Sequence, residues 1–396
     1  MNSNYGHNIN FTLFGESHGP YIGITINNLP AGIQIDFDSI NKALLLRQGN
    51  ASFNTSRQEK IDYEIISGYF ENKTTNHPLT VLFPNKNIKS KDYEDLKVLP
   101  RGGHVDVVAS KKYKESFDYR GSGHFSGRMT TPLVFLGFLL KQILKKDYPD
   151  LKIISHIKSF ASYTDITYYV IREKLVNSLL DHKDNLENLN TSQLSMLSMD
   201  IDLKLHYYLE DFLNDKSFPV FDENIKKLMI EQADALINDT LGGQVESIIL
   251  NPPINLGEPF FSSFESILSS LIFSIPSIKG INFGNDKDIK DYKGSTYNDE
   301  IIFVNKHKLT TLYNNNGGIN GGISNGEDIV FTTLIKPITS NVSNKKTYHL
   351  VNKKIDYLKI NGRHDKTIIN RIIPIIEAMA FITLYELLIE HTKKEL

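Results

Sequence analysis

The chain of 396 residues contains no cysteine. Disulfides, thiolate zinc sites and cysteine nucleophiles are thereby excluded, and a reducing, cytoplasmic compartment fits. An excess of charge of either sign is also missing, since 44 Lys and Arg face 46 Asp and Glu for a formal net charge of -2. A nucleic-acid binder needs a broad basic surface to neutralise phosphates, so that class is set aside. Any anionic ligand has to be met by cations gathered locally. Residues 1–10 show neither the basic start nor the apolar run of an export signal. The longest apolar stretch, 132–140 continuing to Leu144, stops at Lys145 and Lys146. That is short of the roughly 20 residues of a membrane span and reads as a buried helix, so no membrane partner is expected. No repeat, Gly/Ser linker or charge block divides the chain, and one domain over residues 1–396 is expected.

What is present is a globular composition, 40% hydrophobic and 23% charged, with mixed periodicities. Alternating residues 22–26, the turn Pro30 to Gly32, then Ile33 and Ile35 predict a hairpin. Further strands are expected at 65–67, 79–83, 152–160, 245–250 and 329–335. Pro132 stands where a first-turn proline belongs, and residues 133–146 predict a central helix. A closing helix is expected from Pro374, whose apolar stripe includes Ile375, Ile376, Met379 and Ile382. Residues 168–239 read as helices joined by polar loops, with little chemistry.

Six segments outside that stretch gather Gly, His, Arg and Ser. GESHG, residues 15–19, offers His18, which can protonate a leaving oxygen near neutral pH, and Ser17, which can orient a ligand. It also fits the GxSxG elbow of serine hydrolases, but that elbow needs a helix after the serine and here a strand is expected. Residues 47–59 form a polar loop with Arg47 and Arg57, guanidiniums suited to carboxylates or phosphates. PRGGHVD, residues 100–106, sets His104 after a glycine pair and two residues before Asp106. No HExxH or third ligand at credible spacing makes that pair a metal site. RGSGHFSGRMTT, residues 120–131, leads into the central helix, whose N-terminus, with Arg120, Arg128, Ser122 and Ser126, suits an anion. Its glycines miss the dinucleotide fingerprint. NNNGGINGGISNG, residues 314–326, can lay backbone against a flat polar ring, and Lys336 adds a cation. GRHD, residues 362–365, ends the series.

In this order the segments resemble the signature series of the chorismate synthase family: GESHG, the 49–59 loop, GGHVD, GxGxxSxR, GGxxGGISNG with KP, and GRHD. Connecting text such as IISGYFENKTTNHP, SKDY and LGEPFF agrees as well. The resemblance implies an α+β sandwich with helices packed between antiparallel β-sheets, assembled as a homotetramer. It implies trans 1,4-elimination of phosphate from 5-enolpyruvylshikimate 3-phosphate, giving chorismate and requiring reduced FMN, with NADPH as a candidate reductant. By the same resemblance His18 protonates the departing phosphate, His104 protonates reduced flavin, and Asp365 acts with Ser17 and Ser126 in accepting the substrate proton. FMN contacts are implied at His124, Phe125, Ser126, Pro276, Ser277, Gly321, Lys336, Pro337, Ile338, Thr339, Ser340 and Arg363, and substrate contacts at Arg47, Arg57 and Arg128. The chain departs from the family pattern at Leu46, Ser52 and His124, each standing where a basic residue is usual, and at Met129, Pro276 and Ser277. These departures point to lowered efficiency or compensated contacts.

Overall fold

The computed structural model describes residues 3–49, 51–54, 61–86, 90–180, 186–212, 217–286, 289–339, 345–358 and 365–395. Alternation builds the first antiparallel sheet from β1 (Asn4–Tyr5), β2 (Asn10–Gly15), β3 (Tyr21–Asn27), β4 (Glu64–Ser67) and β5 (Leu79–Pro84). Its order is β1-β2-β3-β5-β4. Ile22, Ile24 and Ile26 of β3 and Leu79, Val81 and Phe83 of β5 all turn to one buried face, as a period of two requires.

The second sheet comprises β6 (Lys152–Phe160), β7 (Tyr163–Thr164), β8 (Gly243–Leu250), β9 (Ile278–Phe283) and β10 (Ile329–Ile335), in the order β9-β10-β8-β6-β7. Here β8 and β10 are buried almost continuously, because both faces of the sheet are covered.

Among the described residues, eight helices of two turns or more accompany the sheets: α1 (Phe37–Gln48), α2 (Asp106–Tyr113), α3 (Thr131–Asp147), α4 (Tyr168–Leu180), α5 (Thr191–Phe212), α6 (Glu223–Ala235), α7 (Phe264–Phe273) and α8 (Ile369–Glu395). Helix α3 packs on β3, α8 packs on β6 and β8, and the two helices pack on each other with α1 across both. This is an α+β sandwich with helices between antiparallel sheets. On the outer face of the second sheet, Tyr168 and Ile171 of α4 and Leu205 and Leu209 of α5 bury Ile154, Ile248 and Val330.

Two expectations are corrected. Residues 33–36 form no strand; Ile33 N donates to Thr74 Oγ1 and Thr74 N donates to Ile33 O, so this stretch pairs with Thr74 while β3 pairs with β2 and β5. The closing helix begins at Ile369, whose N–H is capped by Thr367 Oγ1 at 3.2 Å, and Pro374 lies inside it. That longer helix holds an apolar run, Ile369–Lys393, long enough to cross a membrane, but 83% of its most apolar window is buried within the protein. It is a core helix.

The α3–α8 contact depends on Gly137. A Cβ at this position would lie 2.4 Å from both Cα and Cβ of Ala378. Replacing Gly137 by Ala should therefore lose more to overpacking, about 1–3 kcal/mol, than the roughly 1 kcal/mol that alanine gains in helix propensity. Urea unfolding of Gly137→Ala checks the sign; equal or greater stability would refute the close crossing.

A charged layer lies between the second sheet and α4. His156 is fully buried, with Nδ1 2.9 Å from Asp165 and Nε2 3.0 Å from Glu246, so both ring nitrogens face carboxylates. Burial opposes the imidazolium, yet hydrogen bonds and attraction from Asp165 and Glu246 prevail and raise its pKa. The His156 contribution to stability is thus complete below the ordinary value of 6.5 and is lost as pH rises through the higher folded value. His156→Leu should cost about 3–5 kcal/mol by leaving two buried carboxylates without their cation. Its deficit relative to the unsubstituted protein, measured by denaturant unfolding across pH, should shrink at alkaline pH. A deficit that is flat with pH would rule out a charged His156.

Candidate active site

Helices α3 and α8 both begin at a cleft of about 970 Å³ bounded by the β2–β3 turn, the 120–131 loop and the segments after α7 and β10. Among the described residues, its lining carries six cationic side chains, Arg47, Arg101, Arg128, Lys279, Lys336 and Arg371, against the carboxylates of Asp62 and Asp365. A chain of net charge -2 has therefore gathered positive charge at one place, beside two helix N-termini whose dipoles add to it.

GESHG is the turn between β2 and β3, so the serine-elbow context of strand, turn and helix is absent. Ser17 and His18 are buried yet line the cleft. The turn is fastened from several sides. Ser17 N donates to Gly123 O at 3.1 Å, and Arg128 Nη1 donates to Ser17 O at 2.8 Å. Asn85 Nδ2 donates to the carbonyls of Glu16 (3.0 Å) and Gly19 (2.8 Å). The His18 ring meets Tyr93 edge-on, with centroids 5.0 Å apart. Gly121, at φ +54°, lets the 120–131 loop close over it, because a Cβ there would stand 2.3 Å from His18 Nδ1.

His104 lies on a second fastened turn. Its Nδ1 is 2.7 Å from Asp106 Oδ1 and its Nε2 is 3.2 Å from Ser122 Oγ. Buried Arg101 holds the same aspartate, through backbone N (3.0 Å) and Nε (2.8 Å) to Oδ2 and through Nη2 (2.8 Å) to Oδ1, and its Nη2 reaches Ser122 Oγ at 3.0 Å. Burial would raise the Asp106 pKa, but the hydrogen bonds from Arg101 and His104 prevail and hold the carboxyl well below the usual range.

Asp365, on the approach to α8, is paired with Arg371, whose Nε donates to Arg47 O at 3.1 Å. Arg47 itself donates from Nε to Thr130 Oγ1 (3.0 Å) and from Nη2 to Gly127 O (2.8 Å), binding the end of α1 to the start of α3. Lys336 donates to Gly103 O at 2.8 Å, and burial together with Lys279 lowers its pKa.

The cleft brings together Ser17, His18, His104, Ser126 and Asp365, with Arg47 and Arg128. His124, Phe125, Pro276, Ser277, Lys336, Ile338 and Thr339 also line it. Pro337 and Gly321 are not in its lining; Gly321 lies exposed in the tight hairpin of Ile319–Asn320 with Ile323–Ser324, where a Cβ would meet no atom within 4 Å. Arg57, Ser340 and Arg363 lie outside the described residues. Arg120, expected to serve an anion, is instead bound to Asp118 at 2.9 Å and does not line the cleft. At two departures from the family pattern the contacts are explicit. His124 Nδ1 bonds Gly15 O at 2.8 Å while its Nε2 faces Ser3 Oγ at 3.0 Å, and Met129 is buried in the core.

The sequence reading passed over Arg101, Asn85, Tyr93 and Arg371. Arg101 adjoins the quoted glycine pair and carried a signal; Asn85 stood unremarked in a chain rich in Asn. Among the described residues no group of three His, Asp or Glu could hold a metal.

Comparison with known proteins adds the family. The family model described as chorismate synthase matches residues 9–389. The chorismate synthase of Methanocaldococcus jannaschii is 35% identical over 392 residues, covering 98% of this chain and 96% of its own. That of Pyrococcus abyssi is 34% identical over 380 residues, covering 95% of each. A crystal structure of chorismate synthase aligns with a TM-score of 0.67 at 23% identity, over 98% of this chain and 93% of the other, and so shares the fold. By sequence match over nearly its whole length, the chain belongs to the chorismate synthase family.

Proposed function

We propose that this protein is a lyase that converts 5-enolpyruvylshikimate 3-phosphate to chorismate by trans 1,4-elimination of phosphate, a shikimate-pathway step toward the aromatic amino acids, with reduced FMN bound in the cleft. The observation that carries the reading is the convergence of His18, His104, Asp365 and a surplus of cations on one cleft. We further propose one domain assembling as a homotetramer in the cytoplasm, as the family resemblance implies.

The donor set suits a flat ring that bears a phosphate. Lys336 and the hydroxyls of Ser126, Ser277 and Thr339 offer donors for phosphate and ring oxygens, while Phe125, Pro276 and Ile338 offer apolar faces. These residues would hold FMN. When bound in its reduced form, it supplies electron density that the elimination needs and recovers it, so the overall reaction has no net redox change.

The protein supplies position, charge and protons. Arg47 and Arg128 flank the start of α3, where a substrate phosphate gains from the guanidiniums and from the helix N-terminus. His18, packed against Tyr93 and beneath the 120–131 loop, would protonate the departing phosphate oxygen. Asp365, paired with Arg371, would help receive the proton lost from the substrate ring, with Ser17 and Ser126 lining the same cleft.

Incubated without oxygen with its substrate and chemically reduced FMN, the protein should release inorganic phosphate, and with oxidised FMN alone it should not. Release independent of the flavin's redox state would overturn the reading. Repeating the assay with FMN and NADPH tells whether the protein reduces its own cofactor.

His18→Ala and Asp365→Ala should each slow turnover by about a hundredfold, while circular dichroism melting shows the protein still folded. Unchanged turnover in either variant would remove that residue from the mechanism.

A further inference from the structure

Asp106 does not line the cleft, yet its carboxylate takes four hydrogen bonds behind it. An ionised carboxylate only accepts hydrogen bonds. Because Oδ1 is 2.7 Å from His104 Nδ1, that nitrogen has to carry the hydrogen. In the neutral ring the other nitrogen, Nε2, is then the acceptor, and Ser122 Oγ, which accepts from Arg101 Nη2 at 3.0 Å, keeps its hydrogen available to donate to it at 3.2 Å. The hydrogen-bond capacities of four side chains thus agree on one tautomer of His104.

We propose that Asp106 is a positioning residue for His104. Held by Arg101, it keeps Nδ1 protonated, so that any proton His104 exchanges with the cleft leaves from and returns to Nε2, beside the Ser122 hydroxyl. Several features support this assignment beyond a role in folding. Arg101 and Asp106 are 6% and 4% exposed, so the pair is shielded from competing water. Arg101 grips Asp106 through three donors, including its own backbone N–H, which leaves the carboxylate little freedom to turn away from the imidazole. His104, Arg101 and Ser122 all line the cleft, whereas the aspartate stands behind them, where a group acts through its neighbour. The inference deepens the proposed function and rests on His104 being an acid of that site.

The test uses the full chain, free of flavin and uniformly labelled with ¹⁵N-histidine, with His104→Gln to assign the His104 signal. In the unsubstituted protein, neutral His104 should show a protonated Nδ1 and an unprotonated Nε2. A protonated Nε2 instead would overturn the proposal.

Asp106→Asn should shift His104 toward the other tautomer. It should also lower kcat for phosphate release by about tenfold to a hundredfold, with KM changed by less than about twofold. A folded Asp106→Asn that keeps kcat, or one that loses kcat while the His104 tautomer is unmoved, equally sinks the idea. Should Asp106→Asn fail to fold, Ser122→Ala decides. It removes the hydrogen-bond partner of Nε2 and should displace one limb of the pH–rate profile, whereas an unmoved profile tells against the network. If the tautomer is as expected but no phosphate is released under any flavin condition, the proposed reaction fails and the tautomer assignment survives.

Discussion

The close crossing of α3 and α8 at Gly137 and Ala378 governs the placement of everything in the cleft. Both helices begin there, α3 behind the 120–131 loop and α8 behind Asp365, and each rests on a different sheet. A side chain at position 137 would push against backbone and Cβ of the facing helix. Their separation would then widen, and with it the span between the two helix starts that bear Arg128, Thr130 and Arg371. Arg47 registers this geometry directly, since it donates to the start of α3 and its carbonyl accepts from Arg371 on α8.

Around that frame the chemical groups are held by a repeated device, in which a polar side chain is satisfied by the backbone of a neighbouring turn. Asn85 and Arg128 take the carbonyls of the turn bearing His18, His124 takes Gly15 O, and Lys336 takes Gly103 O. Such bonds cross between segments distant in the chain, so each turn is oriented by the others. They also explain how departures from the family pattern are absorbed: an imidazole at position 124 is occupied by the turn it supports, and an apolar Met129 joins the core.

The charged layer on the far side of the second sheet follows a different logic. His156, Arg172 and His206 are paired with buried carboxylates, which makes that region sensitive to pH without any group reaching the cleft. Separating the two systems lets the cleft hold titrating groups for chemistry while the outer layer uses them for structure. The stretch 168–239 accordingly supplies helices and buried polar partners, and none of its described residues lines the cleft.

The sequence by itself determined the strands 152–160 and 329–335, the helix after Pro132 and the segments that meet at the cleft, because alternation, capping and glycine density are local signals. It also determined the family, through motif order. Only the tertiary structure decided that Ile33 pairs with Thr74 rather than with β3, that α8 starts five residues before Pro374, and that Arg120 answers Asp118 instead of a ligand. Those outcomes depend on partners distant in space or on a cap outside the apolar stripe. The network of Arg101, Asp106, His104 and Ser122 shows the division most clearly. Three of its members sit within six residues of sequence, but the partner of the ring's other nitrogen, Ser122, arrives only on folding.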